Sequence, residues 1–415
     1  MGFDFMGDPI DRAMLVETPF TSSLRNSNEK GVWTTWGGYG MPETLAGIRQ
    51  EARAARSSAM LEDKSPLVTV HIRGPDSERF VNRLIPRDAG RISVDHAYYT
   101  PWCDEDGKVI VEGLLFRLTK DDFFLTSCAM DRWFNQQRQG MDVGFEDATD
   151  RFGILALQGP DSLAVLEEAT GQRWSDLRFS RGRRGRIGAA DVHVWRTGFT
   201  GVKGYELWVP PAAGDEVWNA LAATRAAEAL EPCGTAAQDI VRVEAGLVLP
   251  AIDYARAGPD TVKAHSYGLA GAEYFASPFE IDLGRFVDFS KPDFVGRDAL
   301  RSESRTTGSG RRMRALRIAW RELVEAFLAR DELPLIDETV RRFPPLELTS
   351  EGARVGYATS VGWSHALKDM IGFAHLPATF PIDGEPVQVR WPDDGRVLAA
   401  GVRFGPLPFI RPNRK

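Results

Sequence analysis

The chain has 415 residues, of which 43% are hydrophobic and 26% charged. That is too long for one ordinary core and fits a globular protein of two or three domains. A net charge of −7 excludes a general nucleic-acid binder, which needs a basic face, and no run approaches the ~18 apolar residues of a membrane span.

Three widely spaced cysteines, Cys103, Cys128 and Cys233, form neither a disulfide framework nor a CxxC pair, which points to a reducing compartment. The N-terminus carries Asp4, Asp8 and Asp11 and no apolar signal core. A cytoplasmic protein is expected.

Taken in order, the chain first shows aromatic residues beside glycine at Gly31-Val-Trp33-Thr-Thr-Trp36-Gly-Gly-Tyr39. Such a cluster forms either a core plug or a flat slot for a planar substrate. Val68-Thr-Val-His-Ile-Arg-Gly74-Pro-Asp-Ser77 reads as a strand and turn, and Glu78–Ile85 as an amphipathic helix capped by Asp or Ser. The pattern recurs at Gly153-Ile-Leu-Ala-Leu-Gln-Gly159-Pro-Asp-Ser162 with its helix Leu163–Ala169. Two such units predict two related α+β subdomains.

Between them, Tyr98–Leu118 reads as a hairpin about Asp106-Gly107. Glu112 interrupts its apolar second strand, a costly place for a carboxylate unless it is paired or functional. Further on, Arg196-Thr-Gly-Phe-Thr-Gly201-Val-Lys-Gly204-Tyr-Glu206 places three glycines in seven residues. The loop can pass close to a ligand, and Glu206 then stands at a strand start. It is either exposed on a hairpin or held against a flat polar ring.

Ala236–Gly246 reads as a glycine-terminated helix. Residues 255–275 read as a crossing loop, and Ser302–Gly310 as a linker. Arg314–Trp320, Gly356–Ser360, Met370–His375, Glu385–Trp391 and Val397–Val402 predict a C-terminal all-β domain. The basic runs Arg181–Arg186 and Arg311–Arg314 are short and glycine-flanked, as solvated loops are. Six histidines, at 71, 96, 193, 265, 365 and 375, show no metal-ligand spacing, so no metal is expected.

Several of these segments, in order from about Ser65 onward, resemble the glycine-cleavage T-protein family. They are Gly159-Pro-Asp-Ser162, Arg196–Gly201, Gly204-Tyr-Glu206, Asp239-Ile-Val-Arg242-Val-Glu-Ala-Gly246, Ser277-Pro-Phe-Glu280 and Phe294-Val-Gly-Arg-Asp-Ala-Leu300. The resemblance implies an α+β, three-domain disc around a central tetrahydrofolate channel, with a C-terminal barrel or jelly-roll-like β domain. The expected division is 1–67 with 150–254, then 68–149, a connecting segment 255–310, and 311–415.

Within the family, Thr18-Pro-Phe-Thr-Ser22, the 31–39 segment and Gly107–Phe116 resemble folate-dependent demethylases of methoxylated aromatic acids. By position, Glu206 would hold the pterin, with Leu67, Cys128, Phe199, Gln238 and Arg285 around the cofactor. Glu112 stands where aminomethyltransferases usually have a catalytic Asp. Cys128 replaces a usual Asn, Gln238 a usual Arg and Phe199 a common Tyr, and Arg285 falls at or next to a usual Trp. Tyr254, His96 and Tyr99 are the candidate leaving-group donors, Tyr254 first, and Trp33, Trp36, Tyr39 and Tyr99 the substrate contacts.

The expected reaction is methyl transfer from a small methoxylated donor to N5 of tetrahydrofolate, without nucleic acid or membrane. The alternatives are aminomethyl transfer with a lipoyl carrier protein as partner, or a non-catalytic folate-binding protein. The signature Lys-Gly-Cys-Tyr-x-Gly-Gln-Glu of the iron–sulfur-assembly branch of such proteins has no counterpart here.

Overall fold

The computed structural model describes residues 15–127, 131–258, 269, 271–306, 310–333, 339–340, 345–382, 386–393 and 396–411. Cys128 and most of the 259–270 stretch lie outside the described residues.

A six-stranded sheet has the order β10 (Gly182–Ile187), β11 (Ala190–Trp195), β12 (Gly204–Val209), β9 (Gly153–Gln158), β3 (Ala59–Asp63), β13 (Leu230–Cys233). A five-stranded sheet has the order β5 (His96–Cys103), β6 (Val109–Arg117), β7 (Asp122–Ser127), β4 (Val68–Arg73), β8 (Gly144–Asp147). The C-terminal strands close an antiparallel barrel in the order β14 (Arg311–Ile318), β17 (Asp369–Pro377), β16 (Ala353–Ser364), β15 (Leu346–Ser350), β18 (Gln388–Asp393), β19 (Arg396–Gly405). The fold is therefore the α+β arrangement with a C-terminal barrel that the sequence led us to expect. A two-stranded hairpin, β1 (Val32–Trp36) and β2 (Tyr39–Thr44), turns at Gly37-Gly38.

The two Gly-Pro-Asp-Ser turns precede helices α3 (Ser77–Leu84) and α5 (Ser162–Thr170). Gly74 and Gly159 have φ of 130° and 128°. A Cβ at either would strike a neighbouring backbone carbonyl, of Asp142 or of Ser58, so glycine is required twice for the same reason. The expected side-chain caps are not formed. The Asp76 carboxylate instead accepts from Asp142 N, and Ser77 Oγ donates to Asp121 O. The capping residues tie each helix start to the neighbouring chain.

The linker expected at Ser302–Gly310 begins inside helix α8 (Arg297–Arg305). The C-terminal region is not purely β. Trp320, expected at a strand end, opens helix α9 (Trp320–Leu328), whose Glu322 accepts from Gly401 N on β19.

The central helix α7 (Thr235–Glu244) is buried along its whole length. Arg242, fully buried, donates to Asp239, to Asp253 and to Ser360 Oγ of β16 at 2.7, 2.6 and 2.6 Å. Asp253 also accepts from Thr359 and Ser360. This saturated network joins the central helix, the segment leading into Tyr254, and the barrel. Each charge in it is paired and hydrogen-bonded, the condition under which burial is tolerated.

Candidate functional site: a cleft between the two sheets

Strand alternation gives each sheet one face toward its helices and one toward the other sheet. On β12, Tyr205, Leu207 and Val209 join the helix-side core, while Trp208 faces the second sheet. On β6, Val111 and Leu115 join their own helix-side core, while Phe116 faces the first sheet and Leu114 packs there. Trp195, Trp208, Phe116, Phe124 and Phe152 fill the space between the sheets. By the same alternation Glu206 and Glu112 face this space too, beyond the aromatic plug.

Register places Glu206 opposite Ala156 of β9, and Glu62 of β3 opposite the same Ala156. Two glutamates thus straddle an alanine on three adjacent strands, flanking a flat floor. Burial pushes Glu206 up to about 7, and the charge on Lys64 works against the shift. Burial pushes Glu62 up to about 8, again opposed by Lys64. Glu62 Oε2 is buried without a hydrogen-bond partner.

On the opposite wall, Glu112 pairs with Pro101 of β5, and Tyr99 with Leu114. The hydroxyl of fully buried Tyr254 donates to Glu112 Oε2. Burial pushes Glu112 up to about 8, and the Tyr254 bond pulls it back. The Tyr99 hydroxyl is buried without a partner; burial and the nearby Glu112 hold its pKa well above the usual phenol value.

Other expected site residues divide. Gln238 accepts from Lys64 Nζ, and Phe199 lies 5.9 Å and Trp36 5.0 Å from that ammonium, so these three gather around Lys64, whose charge acts on Glu206. Leu67 is half-buried on the turn after Lys64, where its N–H donates to Lys64 O. Arg285 is exposed, bound to Asp282 and set over Phe286, a ring that meets Tyr99 edge-on. It marks a rim.

His96 does not join the site. It pairs with Arg117 while Glu112 pairs with Pro101, five residues along β5, which is about 17 Å of strand. Burial and the charges of Arg181 and Arg87 push it down to about 4, so it is a neutral ring at neutral pH. The aromatic N-terminal cluster is not one slot either. Trp33 packs on the helix-side core, and the Tyr39 hydroxyl donates to Asp150 on the surface. Trp36 is the member that reaches the cleft region.

The glycine loop also serves a different neighbour than expected. A side chain at Gly198 or Gly204 would overlap the Gln158 amide. That amide donates to Thr197 O and Tyr205 O and accepts from Thr200 Oγ1. Two of the three glycines therefore admit a buried glutamine that braces the loop, and the brace fixes where β12 begins.

Glu62 and Lys64 were not signalled by any motif. Leu61-Glu-Asp-Lys-Ser65 reads as a charged, solvated turn, and only burial of all three charged residues reveals otherwise. Among the described residues no group of His, Cys, Asp and Glu could hold a metal ion, and no helix is long and apolar enough to cross a membrane.

Comparison with known proteins agrees with this architecture. The GCVT N-terminal domain family matches residues 24–291. An aminomethyltransferase of Moorella thermoacetica is 31% identical over 386 residues, 92% of this chain and 94% of that protein. One from Desulfitobacterium hafniense is 28% identical over 380 residues, 90% and 93% of the two chains. The crystal structure of glycine cleavage system aminomethyltransferase T from Bartonella henselae shares the fold, with a TM-score of 0.76 at 22% identity over 96% of this chain and 99% of that one. With a family match over most of its length and a 31% identical relative spanning nearly all of it, the chain belongs to the GCVT, or T-protein, family.

Proposed function

We propose that this protein is a tetrahydrofolate-dependent one-carbon transferase working in the cleft between the two sheets. The observation that carries the reading is the buried Tyr254–Glu112 hydrogen bond on one sheet, with a second buried carboxyl, Glu206, on the facing sheet. The residues fit a pterin. Glu62 Oε2 is a buried acceptor without a donor, and the Glu206 carboxylate takes no hydrogen bond from a described residue. A ring edge that presents an amino group and a ring N–H satisfies such acceptors in pairs.

Tetrahydrofolate bound there supplies the nucleophilic nitrogen. Glu206 orients the ring edge. Glu112, poised near neutrality, takes up the proton that leaves that nitrogen as the one-carbon unit arrives. Tyr254 gives its single O–H to the carboxylate; once Glu112 has taken up a proton, that O–H is released to donate toward the departing atom.

The relatives are named aminomethyltransferases, and on that ground aminomethyl transfer ranks ahead of demethylation. The expected aromatic substrate slot also loses two of its members, Trp33 to a core and Tyr39 to Asp150. Demethylation stays as the second reading for one reason. Glu112 works with a buried phenol, Tyr254, a pair suited to a departing oxygen or sulfur atom.

The product decides. With tetrahydrofolate and an aminomethyl-loaded lipoyl carrier protein, the first reading expects 5,10-methylene-tetrahydrofolate and ammonia. With methoxylated aromatic acids and no carrier, the second expects 5-methyltetrahydrofolate. Failure of the protein to bind tetrahydrofolate would overturn both.

A further inference from the structure

Lys64 belongs to no expected site, yet it is buried inside this one. Its ammonium donates to Gln238 Oε1 and lies 3.4 Å from Glu62 Oε1, with Trp36 and Phe199 on its flanks. Gln238 is neutral and spends its amide oxygen on holding that ammonium. The positive charge of this wall therefore comes from the residue that follows β3 and not from Gln238 of α7.

Glu62 and Glu206, either side of Ala156, then share one cation, and Glu62 keeps a buried oxygen free of donors. A buried acceptor without a partner is costly. Two carboxyls against one ammonium leave acceptors in surplus, which suits a flat ligand rich in N–H groups.

We propose that Lys64 and Glu62 form the second half of the pterin clamp: Glu62 offers its free oxygen to the ligand's N–H edge, and Lys64 is a positioning residue that favours the ionised form of Glu62 and Glu206. A charged acceptor makes a hydrogen bond about twice as strong as a neutral one. The inference rests on the folate reading above.

The groups facing the pair leave Lys64 in that role. Asp63, also on β3, turns its carboxylate to Ser65 and Thr18. From β12 comes Glu206, and from β13 Cys233, whose thiol burial pushes up and out of the titration range. Glu51 of helix α2 (Ile48–Ser57) is occupied by Thr44 and by backbone N–H groups, including that of Gly234. On α7, Asp239 is taken by Arg242. Burial raises Glu62 and Glu206, and Lys64 opposes both shifts.

The test is calorimetric affinity for tetrahydrofolate between pH 6 and 9.5, for wild type, Lys64→Met and Glu62→Gln, with melting temperature measured in parallel. Wild-type affinity should climb through pH 7 to 8 as the carboxyls ionise. In Lys64→Met the climb should move up by about one pH unit, which leaves affinity about tenfold lower at pH 7 and recovered by 9.5. Glu62→Gln should weaken binding at high pH, where wild type is strongest, with its melting temperature held. Should Lys64→Met not fold, Glu62→Gln decides. Wild-type affinity and pH profile in the folded variants would overturn the inference while leaving the folate reading intact. A wild-type protein that binds no tetrahydrofolate would overturn both.

Discussion

Tyr254→Phe tests the proton-handling pair most directly. The substitution deletes the donor to Glu112 Oε2 in a fully buried position and keeps the ring's volume. The Tyr254 bond is the largest influence pulling Glu112 down against burial, and even with it Glu112 stands at about 8. A hydrogen bond to a charged group contributes about 1.5–3 kcal/mol, or about one to two pKa units. Without it, Glu112 should ionise only near pH 9 to 10, as about one to two units of displacement require. At pH 7.5 the ionised fraction then falls from roughly a quarter to a few per cent or less, a loss of about tenfold to a hundredfold in rate where Glu112 is the base. Single-turnover transfer to tetrahydrofolate, followed from pH 6.5 to 10, reads this out. The alkaline-rising limb should move up by one unit or more. If Tyr254 also donates to the departing atom, a loss independent of pH should remain at the top of the range. A limb at the wild-type pH, with unchanged rate, would refute the pair's role.

Two further outcomes follow from the same buried charges. Glu206→Gln should weaken tetrahydrofolate binding by about 1–3 kcal/mol, the scale of a lost charged hydrogen bond, and equal affinity by titration calorimetry would remove Glu206 from the site. Glu112 has a native pKa of about 8 against an ordinary 4.5, so the native state keeps a proton that the unfolded chain has already released. Stability from this group is therefore lost as pH rises from about 4.5 to about 8, and Glu112→Gln should gain on wild type across that window, by at most about 1.4 kcal/mol per pH unit. Urea midpoints compared at pH 5, 6.5 and 8 measure the gain. A difference that stays flat would mean that Glu112 is not held protonated.

The parts of this fold legible in the sequence are those set by local chemistry. Gly74 and Gly159 announce their turns because the backbone there adopts a conformation that a side chain resists. Glu112 announces itself by breaking an apolar strand. What the sequence hides is set by pairing at a distance. Glu62 and Glu206 become neighbours only because both lie in register with Ala156, over 90 residues from one and 50 from the other. The glycines of the 198–204 loop looked like room for a ligand, and the room belongs to Gln158, on a strand that only the sheet order brings alongside. His96 is a candidate donor by residue type, and antiparallel register sends it to the far end of the hairpin from Glu112.

Burial is the first cause of the unusual state of both carboxyls. The aromatic plug of Trp195, Trp208, Phe116 and Phe124 buries the facing surfaces of the two sheets, and Glu206 and Glu112 on those sheets are buried as well. In water either carboxyl would be ionised well below neutrality. Here burial pushes them to about 7 and about 8. The two then part company through their partners. Glu206 is answered by a fixed charge, Lys64, which favours the carboxylate that an N–H edge needs. Glu112 is answered by a neutral phenol, Tyr254, which leaves the proton close to the balance point that acid–base work requires. On the proposed reading the same desolvation yields an acceptor on one wall and a proton handler on the other, and the difference lies in what each glutamate faces.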